Sequence, residues 1–285
     1  MKTFRTFLLF LTVGSFASYL PAATVSEHLG LQLWSVRVQI KENVPAALDQ
    51  VKSFGFTEVE TAGTADLPVE QFAQLLHARG LQAVSAHFGY DRLKQDIEGA
   101  IREAKALGAQ FLICPVIPHK DGFDEAAARR AAADFNTWGA ACKAAGLRFG
   151  YHPHGFEFTP TAAGNGETVF DVLIRESKSD LVCFEMDVFW VAHAGQNPVK
   201  LLLRYPDRWV LLHVKDLRQG AATGLSTGKA APTDNVPVGS GQIDWPAVFR
   251  TAANIGVQHY FIEDESPAPV QNIPLSLRYL RALKP

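Results

Sequence analysis

Cysteine is scarce. The 285-residue chain has three, Cys114, Cys142 and Cys183, too few and too scattered for a disulfide scaffold, and no two are spaced as metal ligands. One disulfide is compatible with an oxidising compartment, but their apolar surroundings point to buried, inert thiols. Charge of one sign is also missing: 27 Lys and Arg stand against 29 Asp and Glu, a net charge of −2. That leaves no electrostatic footprint for DNA, RNA or an anionic membrane, so a nucleic-acid partner is not expected. Beyond the N-terminus no apolar run is long enough to span a bilayer, and no membrane association is expected once that terminus is removed. No strand-to-helix turn carries GxGxxG or a Walker pattern, which argues against a doubly wound nucleotide-binding sheet. "VGSGQ" at 238–242 contains glycines but enters its helix from a loop.

What is present begins with a basic "MKTFR", an apolar "TFLLFLTVGSF" and a small-residue "ASYLPAA". This order reads as a secretory signal over residues 1–23, cleaved after Ala23, with cleavage after Ala17 as the competing choice. The mature chain, 24–285, is then expected in a periplasm-like compartment or secreted. With 47% hydrophobic and 20% charged residues, it has the composition of a soluble globular protein with a large core.

From residue 28 on, short apolar runs alternate with longer amphipathic ones. "LGLQLWSV", "FTEVET", "LQAVSAHF", "AQFLICPV", "LRFGYHPH", "DLVCFEMD", "RWVLLHVKD" and "VQHYFIED" are each followed by a helical pattern. Glycines 55, 80, 108, 146 and 256 stop helices just before strands, as C-terminal caps do. The strands are near-continuously apolar, the signature of strands covered on both faces. Eight strand–helix units in one domain predict an α/β chain closed as a (β/α)8 TIM barrel. Only residues 218–244 interrupt the rhythm, as a small, polar stretch readable either as a surface loop or as a lid.

Barrel chemistry sits where strands end. The strand ends here carry Gln32 and Trp34, then Glu60, His87, His152 and His154 with Glu157 just beyond, Glu185 and Asp187, His213 and Lys215, and Glu263 to Glu265. The fourth ends apolar, in "CPVIP". In extended chain His152 and His154 of "YHPHGFEF" share a face. So many buried ionisable groups need a balancing positive charge. A divalent cation fits an oxygen-rich set with imidazole, Mn favoured and Mg, Co or Zn also suited. An ion-pair network using Lys215 and Arg37 is the alternative. His193 is readable as pocket lining or as an ordinary helix residue; His28, His77 and His259 read as surface or packing residues.

Together, "GLQLWSVR", "YHPHGFEF", "FEMDVFWVAHAG", "LLHVKDL", "VPVGSGQIDW" and "YFIEDE" resemble the sugar isomerase/epimerase-like (xylose isomerase-like) TIM barrels from about Leu29 to the C-terminus. The resemblance implies one divalent cation held by Glu157, Asp187, His213 and Glu263. It also implies proton abstraction beside a carbonyl of a sugar, with Glu157 and Glu263 exchanging protons. The carboxylate-rich strand ends, which would repel a phosphate, and the expected export point to a non-phosphorylated sugar. The YHxHxFEF form is similar to a subgroup that includes relatives of lyases acting on 3-keto-glycosides, in which His154 would be the base. Lys215 would polarise an oxygen or donate a proton, with a salt bridge as its plain role. Gln32, Trp34, Glu60, His87 and His152 are the candidate substrate contacts, His152 being equally readable as a strand cap. Two rivals are an endonuclease IV-like nuclease, which the charge balance opposes, and a non-catalytic sugar-binding barrel. Self-association is left open.

Overall fold

The computed structural model describes residues 28–119, 122–224 and 227–283. The expected signal, 1–23, lies outside the described residues.

Strands β1 (Leu29–Gln32), β2 (Glu58–Thr61), β3 (Gln82–His87), β4 (Phe111–Cys114), β5 (Arg148–Tyr151), β6 (Val182–Asp187), β7 (Trp209–Val214) and, after the short strands β8 (Asp216–Leu217) and β9 (Asn235–Val236), β10 (His259–Ile262) follow in chain order. Eight of them close into a parallel barrel in the order β1-β10-β7-β6-β5-β4-β3-β2, so the (β/α)8 architecture expected from the apolar rhythm is what forms. The seam is β1 against β10, with Leu29 opposite Tyr260 and Leu31 opposite Ile262. Helices cover the outside. The helix Ile97–Leu107 starts on Asp96, whose carboxylate accepts the Gly99 N–H, and buries Ala100, Ile101, Ala104 and Leu107. The helix Trp245–Ile255 ends where Gly256 turns left-handed at φ 85°, a conformation glycine adopts without strain.

Two apolar layers result. Between strands and helices, Phe135 stacks within 5.0 Å of Tyr151 and 5.4 Å of Phe149; burying each such side chain stabilises by roughly 1.5–3 kcal/mol. Inside the barrel, Phe111, Ile113, Cys183, Leu211 and Phe261 form a separate cluster. The three cysteines are buried and free, and burial pushes the Cys183 thiol up to about 11, consistent with inert thiols.

The irregular stretch after β7 is anchored at its base. β8 pairs antiparallel with β9, and buried Asp216 accepts N–H groups from Gly239 (2.8 Å), Gly241 (3.1 Å) and the Trp245 indole (2.9 Å). A Cβ on Gly241 would stand 2.2 Å from the Asp216 carboxylate. This accounts for the "VGSGQ" glycine as a close approach. No described helix is long and apolar enough to cross a membrane.

Candidate metal centre at the barrel mouth

Side chains alternate along a strand, so every second residue faces the lumen. On β6 that brings Glu185 and Asp187 to one face, on β7 Leu211 and His213, and on β10 Phe261 and Glu263. Above the apolar lumen cluster, these polar ends converge. Asp187, His213 and Glu263 each offer a ligand atom within 4.8 Å of the others, and so, in a second group, do His87, His152, Glu185 and His213. All but His87 are buried.

Glu185 organises the histidines. Its Oε2 accepts from His87 Nε2 (3.1 Å), His152 Nδ1 (3.1 Å) and His213 Nε2 (3.3 Å). Glu60 adds a second carboxylate, 2.7 Å from His213 Nε2 and 2.9 Å from His87 Nε2, and is itself held by Gln32 Nε2 at 2.6 Å. With one nitrogen of His152 and one of His213 tied to carboxylates, the other nitrogens turn the opposite way. His152 Nε2 lies 3.8 Å from Asp187 Oδ2; His213 Nδ1 lies 3.9 Å from the same oxygen and 3.3 Å from Glu263 Oε2. Asp187 Oδ2 is buried and has no hydrogen-bond partner. A buried carboxylate oxygen without a donor is costly. Two imidazole nitrogens aimed at it, each with its far nitrogen on a carboxylate, are how metal-ligating histidines are oriented. The residues present therefore fit a divalent cation at His152, Asp187, His213 and Glu263.

Electrostatics follow from the same contacts. Burial pushes the Glu185 carboxyl up, but His213, His152 and His87 outweigh it and hold it well below the usual range. Burial lowers His213, yet Glu185, Glu263 and Glu60 carry it well above the ordinary value. In His87 the same contest ends at about 9. Asp187 is raised by burial, partly offset by Lys215 and His152. Lys215, almost wholly buried, donates to Glu263 at 3.2 Å and to Glu265, and lies over the Phe189 and Trp190 rings at 5.1 and 5.2 Å.

The mouth opens into a cavity of about 540 Å³ walled by Trp34, His87, Val116, His152, His154 and Glu263, among others. Trp34, in a 3-10 turn after β1, is 44% exposed and donates its indole N–H to Glu265 at 2.9 Å. His154 presents a buried Nδ1 without a partner, and burial, with His152 and Lys215 nearby, holds its pKa well below the ordinary value.

Glu157 is not brought to this centre, contrary to the ligand set the motifs imply. β5 ends at Tyr151, and the chain turns through Gly155 into a 3-10 turn, Phe156–Phe158. Tyr151 points outward to Phe135, and its hydroxyl donates to Glu157. The His154 backbone N–H reaches both Glu157 oxygens at 3.1 Å. Those oxygens are already satisfied, and burial raises the carboxyl to about 7. His152 stands at the inward position instead. Its N–H extends the β5 ladder to Cys114 O at 3.1 Å. His193 is buried, stacked on Phe189 at 5.9 Å. Reading residues in sequence missed the orienting role of Glu185; the signal was its position two before Asp187 on a buried strand.

The chain's likenesses to known proteins accord with this architecture. The family model described as a xylose isomerase-like TIM barrel matches residues 48–283. An inosose dehydratase of Clostridium botulinum is 23% identical over 260 residues, covering 81% of this chain and 86% of that one. A sugar phosphate isomerase/epimerase from Parabacteroides distasonis superposes with a TM-score of 0.73 at 23% identity, covering 95% and 98% of the two chains. The IOLI protein, solved with a bound zinc atom, superposes with a TM-score of 0.67 at 12% identity, covering 89% and 96%. With eight parallel strands closed into a barrel and the family model spanning most of its length, the chain belongs to the xylose isomerase-like TIM barrel family.

Proposed function

We propose that the protein is an exported, divalent-metal-dependent enzyme that abstracts a proton beside a carbonyl of a non-phosphorylated sugar, as an isomerase or epimerase. The observation that carries this is the partnerless Asp187 Oδ2 facing His152 Nε2 and His213 Nδ1 beneath an open cavity. The names inosose dehydratase and sugar phosphate isomerase/epimerase among its likenesses support a sugar-processing reading, while the acidic mouth alone speaks against a phosphate. His152, Asp187, His213 and Glu263 would hold the cation, which when bound would act as a Lewis acid on neighbouring substrate oxygens. Two imidazoles and two carboxylates make zinc as well suited as manganese.

The chain's own groups do the rest. His154, whose ring is favoured in its neutral form by burial and by His152 and Lys215 and whose Nδ1 has no partner, accepts the carbon-bound proton. The proton taken up by His154 is the one returned to the neighbouring carbon. Glu263, which burial would raise but Lys215 and His213 hold well below the usual carboxylate range, stays ionised and has no proton to exchange in the role the motifs shared between it and Glu157. Lys215 donates a hydrogen bond toward the oxygen where charge develops. Trp34 supplies an apolar face for the sugar ring, and Gln32, Glu60 and His87 hold the floor. Glu60, Glu263 and Glu265 would repel a phosphate at the mouth. Elimination is the second reading, favoured by the inosose dehydratase likeness and by the withdrawal of Glu157, which leaves one carboxylate fewer to exchange protons.

The test incubates metal-loaded protein in deuterated water with free ketoses and, separately, with 3-keto-glycosides. Deuterium entering a ketose beside its carbonyl supports isomerisation or epimerisation; loss of the substituent beside it supports elimination. His154→Ala is expected to retain metal yet lose turnover by about 10²–10⁴-fold. Full activity in that variant would remove His154 from the mechanism.

A further inference from the structure

The opposite end of the barrel carries a second gathering of ligand-type side chains, which sequence reading treats as surface or packing residues. His28 precedes β1, Glu58 opens β2 and His259 opens β10, three strands adjacent in the barrel. Along β10 the inward residues are His259, Phe261 and Glu263, so Phe261, with Phe111 and Leu211, separates this lower cluster from the mouth. One Glu58 oxygen lies 3.1 Å from His28 Nδ1 and the other 2.8 Å from His259 Nδ1. The three ligand atoms fall within 4.8 Å of one another, and the rings meet edge to face at 5.0 Å. His259 packs against Phe111 and Phe261, while the His28 side chain is 39% exposed, so the cluster has an apolar wall on one side and a path to solvent on the other.

We propose that His28, Glu58 and His259 bind a second cation of the zinc class, independent of the mouth and of the activity assigned to it. Two imidazoles and one carboxylate are a recurrent zinc set, with ligand atoms about 2.0–2.2 Å from the ion and hence roughly 3.3 Å apart. The observed separations need only small adjustment to meet that. Each neutral imidazole would shift its proton from Nδ1 to Nε2, freeing the Nδ1 lone pair for the ion, with water completing the shell. The consequence is mechanical. His28 and His259 lie on the two strands of the seam where the chain's first strand meets its last, so the ion would clamp a ring closed between residues far apart in sequence.

Untagged, metal-stripped protein titrated with Zn²⁺ alone, with bound ion counted by elemental analysis after gel filtration, tests this. His28→Ala, at a half-buried position ahead of β1, is expected to bind one ion per chain fewer than wild type, and Glu58→Gln to share that loss. The zinc-induced rise in Tm is expected to shrink in both. Asp187→Ala removes the mouth ion separately, so the difference between wild type and His28→Ala reads the lower site whether or not the mouth binds metal. Equal stoichiometry in wild type and His28→Ala overturns the proposal, as does a loss in His28→Ala that a folded Glu58→Gln lacks. If Glu58→Gln does not fold, His28→Ala alone decides it.

Discussion

At the scale of single residues, the clearest case is the position of His152 at the mouth, where the motifs place Glu157. Counting by twos along "YHPHGFEF" brings His152 and His154 to one side but says nothing of Glu157, because the chain leaves the strand after Tyr151 and the period changes. Asp187, His213 and Glu263 could be placed together at the mouth from sequence because each stands at or just past the end of an apolar strand. His152→Ala and Asp187→Ala are expected to lose metal to a chelator that wild type resists, while Glu157→Ala retains it; the bound-ion count after dialysis checks all three. Glu157 also makes a pH prediction. Its carboxyl rises from 4.5 to about 7 on burial, so the folded state holds a proton the unfolded chain releases. Its contribution to stability is full below pH 4.5 and is lost as pH rises to about 7. The unfolding free energy of wild type, relative to Glu157→Gln, should fall across that window; a flat difference would contradict it.

Among elements, the strands were easier to read than the segment that follows β7. Apolar runs and capping glycines mark strands and helices because burial and backbone conformation act locally. The base of the segment after β7 is gathered instead around the Asp216 carboxylate, and no local pattern announces that it collects Gly239, Gly241 and Trp245. Trp34, read as a strand end, proves to lie in the turn after β1, where Gln32 Oε1 accepts its backbone N–H at 3.0 Å. Replacing Asp216 by Ala leaves those donors unpaired, the Trp245 indole among them buried, and should cost about 1–3 kcal/mol. Limited proteolysis should then cut within 218–244 before the barrel. Unchanged resistance would mean that β8 and β9 alone hold the segment.

For the whole molecule, closure of the barrel gathers groups from strands far apart in sequence, which is why the three-histidine shell around Glu185 could not be read from any one motif. A ligand that binds only the folded chain stabilises all of it. Free cation at a hundred times its dissociation constant should add about 2.7 kcal/mol, roughly 4–6 °C in Tm for a chain of this size. Chelator should reverse that rise in wild type, and a Tm indifferent to metal would count against a cation in either cluster. The central claim is the identity of the four donors at the mouth. An anomalous-scattering map of metal-loaded crystals tests it most directly: the expected result is a single strong peak at the mouth coordinated by His152 Nε2, Asp187 Oδ2, His213 Nδ1 and Glu263, with Glu157 still bonded to Tyr151. A mouth without a peak, or a peak coordinated by Glu157 in place of His152, would contradict it.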